Sequence, residues 1–537
     1  MSSDSQAASL EPDQDLRMST PQPPACSAVT PPVKVDARMD AGPPFDIEHV
    51  PVDNDPRKWS PLRKNASLAL ISSASMIAGL AGSIQNPAVK EMEVDLPATS
   101  AQFSWSISMF ILVQGLFPLI WSAVSEIKGR KLVYLISLLL FTIGSVVVAL
   151  SKSIGLVIGF RCFQAAGSSA VIAIGAATLA DIFDPAERGT KMGIYYIAPL
   201  LGPAVGPIFG GALTTGFNWR AIFWFLTVVS GSSFLAFLLL FRDTFRRERS
   251  LTYQNALKQR KLVTVHTGTS VIDERPPAAK DVEKGVGVHA DAALVQRAES
   301  AKLTLMDISP VRPLGLVMRR KNNAVTLFAS GLLFAFGFLI PYTSARTLST
   351  HYNYEALKIG LVTLTYGFGS IAGSLLGGRW SDHQLATLKE KNGGVSKPEM
   401  RLHSTRIGAI FLPPFTLAFG WICQKHVHVS AICVFLFSCG FLSIWIYSST
   451  LAYIVDANNG RSSTAVACNS AFRGLFAFVA IEIAVPMQDK LGDGWMYTIW
   501  AGIMALSGLL IFVVSWKGGK WREQAEALEA KPSEDSE

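Results

Sequence analysis

The chain has 537 residues, of which 50% are hydrophobic and only 16% charged. Soluble domains carry about 25% charged residues, so this deficit means long uncharged stretches and, at this length, repeated membrane crossings. A disordered, fibrous or disulfide-rich secreted protein is excluded, and the net charge of +8 has to be read by where the charges sit.

Residues 1–60 are rich in Ser, Pro, Asp and Ala, lack apolar periodicity and read as a disordered cytoplasmic tail. Met1–Leu16 holds acidic residues and no apolar core, so it is not expected to be a signal peptide. From Ala66 onward apolar runs of about 20 residues recur, each long enough for a hydrocarbon core of about 30 Å. They fall near 66–86, 104–124, 133–151, 154–180, 191–214, 221–241, 324–345, 357–378, 406–424, 429–455, 464–486 and 495–515, and are numbered here as spans 1–12. Six spans occupy 61–241, a charged linker follows at 242–323, six more occupy 324–515, and 516–537 forms a tail. Two equal halves joined by a polar linker form an internal-repeat architecture. The expected fold class is an all-α membrane protein with twelve transmembrane helices in two six-helix bundles.

Of the 48 lysines and arginines, Lys90, Lys152, Arg220, Arg346, Lys358, Lys425 and Lys490 fall on one side, and Arg161 and Arg473 fall inside spans. The others crowd the tails, the linker and the alternate loops, which by the positive-inside rule makes both termini cytoplasmic. The positive charge is thus a topology signal, and no nucleic-acid partner is expected. The expected partners are a small-molecule substrate, protons and the lipid bilayer, with the chain acting as a monomer. Thr244–Ser250, TFRRERS, is also placed to touch anionic lipid. The sequon at Asn65–Ser67 is left unused by a cytoplasmic location. The six cysteines show no CxxC spacing and read as packing residues.

Between spans 2 and 3, Ser122–Lys131 reads SAVSEIKGRK. Gly129 permits a tight turn, Arg130 and Lys131 anchor the face, and Glu126 can meet a neighbouring helix end or arginine. Span 4 contains Arg161–Ser169, RCFQAAGSS. An arginine inside a span costs at least a few kcal/mol and is expected to face a cavity; Gln164, a turn further on, shares its face. Two readings stay open: Arg161 ties two helices together, or it contacts substrate or couples protons. In span 5, Gly202, Gly206 and Gly210 recur every four residues, with Pro203 and Pro207 between them. In span 8, Gly369, Gly373 and Gly377 do the same. Two smooth helices in comparable positions suggest a close, slidable contact between them, the alternative being simple tight packing.

These segments resemble the major facilitator superfamily. Ser122–Lys131 is similar to its cytoplasmic loop motif, with Ser122, Glu126 and Ile127 replacing the usual Gly, Asp and Arg. Arg161–Gly167 is similar to its fourth-helix arginine motif, with Ala165 at a common Gly position. Gly202–Gly211, including Gly206, Pro207, Gly210 and Gly211, matches the antiporter motif GxxxGPxxGG without departure. That resemblance implies export in exchange for protons. Ala180–Gly189 (with Asp181 and Arg188), Asn218–Phe225 and Tyr453–Gly474 resemble fungal twelve-span drug:proton antiporters of the quinidine-resistance and dityrosine-transporter branch. The broader group includes exporters of citrate- and itaconate-like acids. Gly377–Asp382, GGRWSD, is a degraded echo of the loop motif without its following Gly and basic pair. A plasma-membrane location is implied by the resemblance.

No GxxxxGK[ST] occurs, so transport is expected to be gradient-driven rather than ATP-driven. A proton-coupled carrier needs a titratable group in an apolar setting. Spans 1–6 hold no acid away from their ends, and Glu482 in span 11 is the candidate proton carrier, or else a structural or rim acid. Arg473 lies nine residues earlier, about 13.5 Å along an ideal helix, so the two are not expected to pair. Glu126, Asp181, Asp382 and Asp456 at cytoplasmic span ends are expected to gate by hydrogen-bonding helix ends. If Arg161 and Arg473 both face the central cavity against one acid, the cavity is net positive and suits a carboxylate. Gln85, Asn86, Gln114, Gln164 and Asn469 offer neutral hydrogen bonds or interhelical glue. All histidines fall in tails or loops, with no HExxH or Ser-His-Asp pattern; no enzyme activity, cofactor or metal is expected. The leading expectation is efflux of a drug or toxic or secondary metabolite by alternating access. Dedicated export of an organic acid is close behind, and a non-transporting sensor or scaffold is the remote alternative.

Overall fold

A backbone in hydrocarbon has no water to bond, so each apolar run closes its hydrogen bonds internally as a helix. The computed structural model describes residues 52, 54–250, 253–254, 257, 311–458 and 462–530, except for the side chains of 185–186, 188–190, 193, 311–313, 316, 462–463 and 530. The expected disordered tail up to residue 51 and the linker interior, 258–310, lie outside the described residues.

The spans become α1 (Pro61–Ala81), α2 (Ser100–Lys128), α3 (Arg130–Leu150), α4 (Ile154–Ile182), α5 (Pro185–Gly216), α6 (Arg220–Leu240), α7 (Lys321–Thr350), α8 (Ala356–Lys391), α9 (Arg406–Gln424) and α10 (Val429–Asp456). A last helical run, Ser462–Ala530, breaks at Gly492 (φ 74°, ψ 170°) into α11 (462–491) and α12 (493–530). Only glycine adopts that conformation readily, and a Cβ there would lie 2.5 Å from Gln424 Oε1. Twelve membrane-length helices thus follow the predicted spans in order, and among the described residues there is no strand. Leu139, Ile143, Leu235, Phe411, Val434, Leu509 and Phe512 point outward from the helices, forming the apolar surface that a bilayer requires.

In the first half α1 packs on α5, α3 on α4 and α6, and α2 on α4; in the second, α8 packs on α10 and α9 on α12. The halves meet through α5 against α8 and α2 against α11. The helices α5 and α8 do meet closely, but the glycine stripes themselves do not face each other. Gly202, Gly206 and Gly210 accept α1, approaching Met76, Ser83 and Ile84. Gly369, Gly373 and Gly377 accept α10 at Phe437, Phe441 and Trp445. The inter-half contact of α5 and α8 uses other small residues: Gly211 on Ala356, Gly360 on Pro207, and Gly367, whose Cβ would lie 2.5 Å from Ala204. A stripe of small residues says that a helix comes close, and both faces of α5 and α8 are occupied this way.

One face of the bundle carries the start of α1, the α2–α3 turn and the end of α12, and is called the basic face below. On it, GGRWSD is helical rather than a loop, because α8 continues to Lys391. No glycine breaks it there, whereas Gly129 (φ 90°) ends α2. The predicted tail is helical as far as Ala530: Arg522 pairs with Glu399 at 3.1 Å, and Arg320 with Glu529 at 2.9 Å. Linker residues 242–250 and Val311–Arg319 also lie on this face.

Among the described residues, hydrogen bonds join the halves toward the opposite face. Lys90 Nζ donates to Ser349 O at 3.4 Å, Leu357 N to Thr215 Oγ1 at 3.3 Å, and Ser104 and Ser108 to the Glu482 carboxylate.

Candidate functional site

Arg161 on α4 is fully buried. Its Nη1 donates to Gln164 Oε1 at 2.6 Å and to Ala81 O, the last carbonyl of α1, at 3.1 Å. Gln164 donates onward to Ser145 at 2.7 Å. The guanidinium lies 4.0 Å from the centre of the Phe110 ring, a cation–π contact. No carboxylate pairs with it among the described residues, and Nε and Nη2 have no hydrogen-bond partner. A buried charge is normally paired, and buried donors left unsatisfied each cost about 1–3 kcal/mol.

Arg473 on α11 has a parallel arrangement. Its guanidinium sits 3.8 Å from the Phe334 ring centre and donates to Tyr447 OH at 2.7 Å, with Nε lacking a partner. Asn469, one turn earlier, is fully buried with both amide atoms unpartnered. Each arginine thus lies on an aromatic ring. A Cβ at Gly82 would lie 3.6 Å from Phe338 and 3.9 Å from Phe110, so both rings come close to that glycine. Phe338 in turn packs on Phe334, with centroids 4.9 Å apart. Phe110 under Arg161 and Phe338 beside Phe334 thus approach the same glycine from the two halves.

Glu482 and Arg473 have separate partners, Glu482 bonding the hydroxyls of Ser104 and Ser108 on α2. Gln114 donates to Ser168 at 3.0 Å and ties α2 to α4. Gln85 and Asn86 are buried at the end of α1, with Gln85 wholly unpartnered and Asn86 Oδ1 likewise. Elsewhere on the opposite face arginines do have acids: Arg220 meets Asp95 at 2.5 Å and Arg346 meets Asp489 at 2.7 Å. Among the described residues the central guanidiniums differ from these in having no acid partner.

On the basic face the acids bind arginines rather than helix ends. Arg130 contacts Glu126 at 3.1 Å and Asp181 at 3.3 Å, with Ser125 at 2.5 Å. Lys131 reaches the carbonyl of Leu238 at 3.0 Å. The side chain of Arg188 lies outside the described residues. The second half repeats the pattern with a residue the motif reading missed. Arg401, on the 3-10 segment Pro398–Thr405, bonds Asp382 at 2.9 Å and also Asp456. Asp456 lies at the end of α10 as Glu126 and Asp181 lie at the ends of α2 and α4, whereas Asp382 sits inside α8, which runs on to Lys391. Because α8 overruns, its arginine arrives 19 residues after Asp382 instead of four after the acid. The only available signal was the six-span repeat itself, which asks for a basic partner before span 9.

A profile of the Major Facilitator Superfamily matches residues 71–481. The chain belongs to the Major Facilitator Superfamily. Its similarity extends to the MFS antiporter QDR3 of Candida albicans, 27% identical over 97% of this chain and 87% of that protein. Citrate exporter 1 of Aspergillus niger is 28% identical over 87% and 89%, and multidrug transporter DTR1 of Candida glabrata 29% over 82% of each. The structure of the human organic anion transporter MFSD10 aligns with a TM-score of 0.52 at 17% identity, covering 84% of this chain and all of that one, which shows the shared fold. The chain is accordingly a multi-pass membrane transporter of a facilitator type.

Proposed function

We propose that this facilitator exports a small organic acid, the halves rocking about a central site between Arg161 and Arg473 while protons return. In this reading the basic face is cytoplasmic and the membrane is the plasma membrane. The observation that carries it is the buried Arg161 guanidinium with no acid beside it. A carboxylate would supply the acceptors that Nε and Nη2 lack, through charge-assisted bonds. A lipophilic cation would meet only repulsion there, since Glu482 is engaged by two serines at the α2–α11 contact. That carboxyl sits where the halves part, so opening toward the opposite face would expose it to take up a proton. Glu126, Asp181, Asp382 and Asp456 then act as gates, through Arg130 and Arg401.

A second reading, efflux of an apolar drug or toxic metabolite, is favoured by the Phe110, Phe338 and Phe334 rings in the same place and by relatives named for multidrug transport. Comparing the culture medium of cells with and without the gene, alongside growth on cationic drugs, separates the two. The acid reading expects one secreted acid to disappear with drug tolerance unchanged. New drug sensitivity with unchanged medium would replace it with the second.

A further inference from the structure

Residues 243–250 form a strap across the basic-face gate of the first half and touch each of its charged members. Asp243 Oδ1 accepts from Arg130 N at 3.0 Å, Thr244 donates to Asp181 at 3.2 Å, and Ser250 Oγ donates to Glu126 Oε2. The Phe245 ring lies 5.1 Å from the Arg130 guanidinium. From the other side Asp55 holds the strap through two bonds of 2.8 Å to Arg249, and Asn54 O accepts from Arg246 at 2.7 Å.

Ser250 ends the run Arg246-Arg247-Glu248-Arg249-Ser250. Arg247, three residues before the serine, is exposed, and basic residues at such offsets are what acidic kinase grooves select by charge pattern. We propose that Ser250 is a phosphorylation site for an arginine-directed serine kinase, and that its phosphate detaches the strap from the gate. The Ser250 hydroxyl oxygen attacks the γ-phosphorus of a nucleoside triphosphate. The bond to the β-phosphate oxygen breaks, the diphosphate leaves, and the hydroxyl proton passes to the kinase's base. The product carries about −1.5 to −2 charges where a hydroxyl had donated to the Glu126 carboxylate. The donor is gone and two like charges are in contact, so the strap leaves Glu126 and loosens Thr244 from Asp181.

The proposal rests on the cytoplasmic placement of the basic face, where kinases and nucleoside triphosphates are found. The test is therefore made first in detergent, where both faces are accessible. Purified full-length protein is incubated with an arginine-directed kinase and ATP, the sites are mapped by mass spectrometry, and amide hydrogen exchange is followed in 54–59 and 243–250. The expected result is phosphate on Ser250, lost in Ser250→Ala and acquired several-fold more slowly in Arg247→Ala, with faster exchange in both segments. Ser250→Asp should show the faster exchange without kinase. Absence of phosphate on Ser250, or phosphate with unchanged exchange, would overturn the proposal. In sealed right-side-out cells a Ser250 that only external kinase can reach would overturn the topology, leaving the detergent result intact.

Discussion

Arg161 is the side chain whose placement the membrane makes most expensive, and it has no acid to leave behind when removed. Arg161→Ala should therefore cost little stability, within about 1–3 kcal/mol as for ordinary substitutions, while abolishing flux at an unchanged amount of membrane protein. Flux that survives would reduce Arg161 to a tie between α4 and the end of α1. Glu482→Gln keeps hydrogen bonds to Ser104 and Ser108 but cannot titrate. It should retain substrate counterflow and lose the dependence of net flux on a pH gradient; an unchanged gradient response would remove Glu482 from the proton path. At this scale the sequence shows Arg161, Gln164, Arg473 and Glu482 as polar residues inside apolar runs. It does not show the approach of Phe110 and Phe338 to Gly82, because aromatic rings in membrane spans are too common to single out.

At the level of elements, the gates separate what a motif can show from what it cannot. Gly129, Arg130 and Glu126 are legible in Ser122–Lys131 because the turn places acid and base on consecutive helix ends. Arg401 is not, because α8 runs on to Lys391 and its partner returns from a separate segment. Arg401→Ala leaves Asp382 and Asp456 facing each other, and transport assays should show a loss similar to that of Arg130→Ala. Near-normal flux in Arg401→Ala would end the correspondence between the two gates. The contact of α2 and α11 has a comparable test. A Cβ on Gly115 would lie 2.6 Å from Gly474 Cα, a backbone atom that cannot step aside, so Gly115→Val should reach the membrane and fail to transport. The strap responds to pH through Asp55, whose carboxyl is held below the usual aspartate range chiefly by its hydrogen bond to Arg249. A depressed folded-state pKa means the stabilisation is present above the unfolded value and lost as pH falls through the folded one. Amide exchange in 243–250 should thus stay slow at neutral pH, quicken only in strong acid, and be fast at pH 7 in Asp55→Asn.

For the whole molecule, twelve apolar runs and a basic linker were enough to give the fold, because a bilayer admits few alternatives to spanning helices. Which helices meet was less legible: the glycine stripes of α5 and α8 were visible, but small-residue spacing records a close approach without naming the neighbour. Among the described residues, hydrogen bonds join the halves toward the opposite face, an arrangement that the proposed rocking takes as one end of its cycle. In it Phe110 and Phe338, one ring from each half, both lie beside Gly82. The most direct measurement is counterflow in proteoliposomes carrying the purified protein, with labelled mono-, di- and tricarboxylates compared against cationic drugs under an imposed pH gradient. The account predicts saturable carboxylate flux in the wild type and none in Arg161→Ala. Flux of cationic drugs without any carboxylate flux, or carboxylate flux that persists in Arg161→Ala, would contradict it.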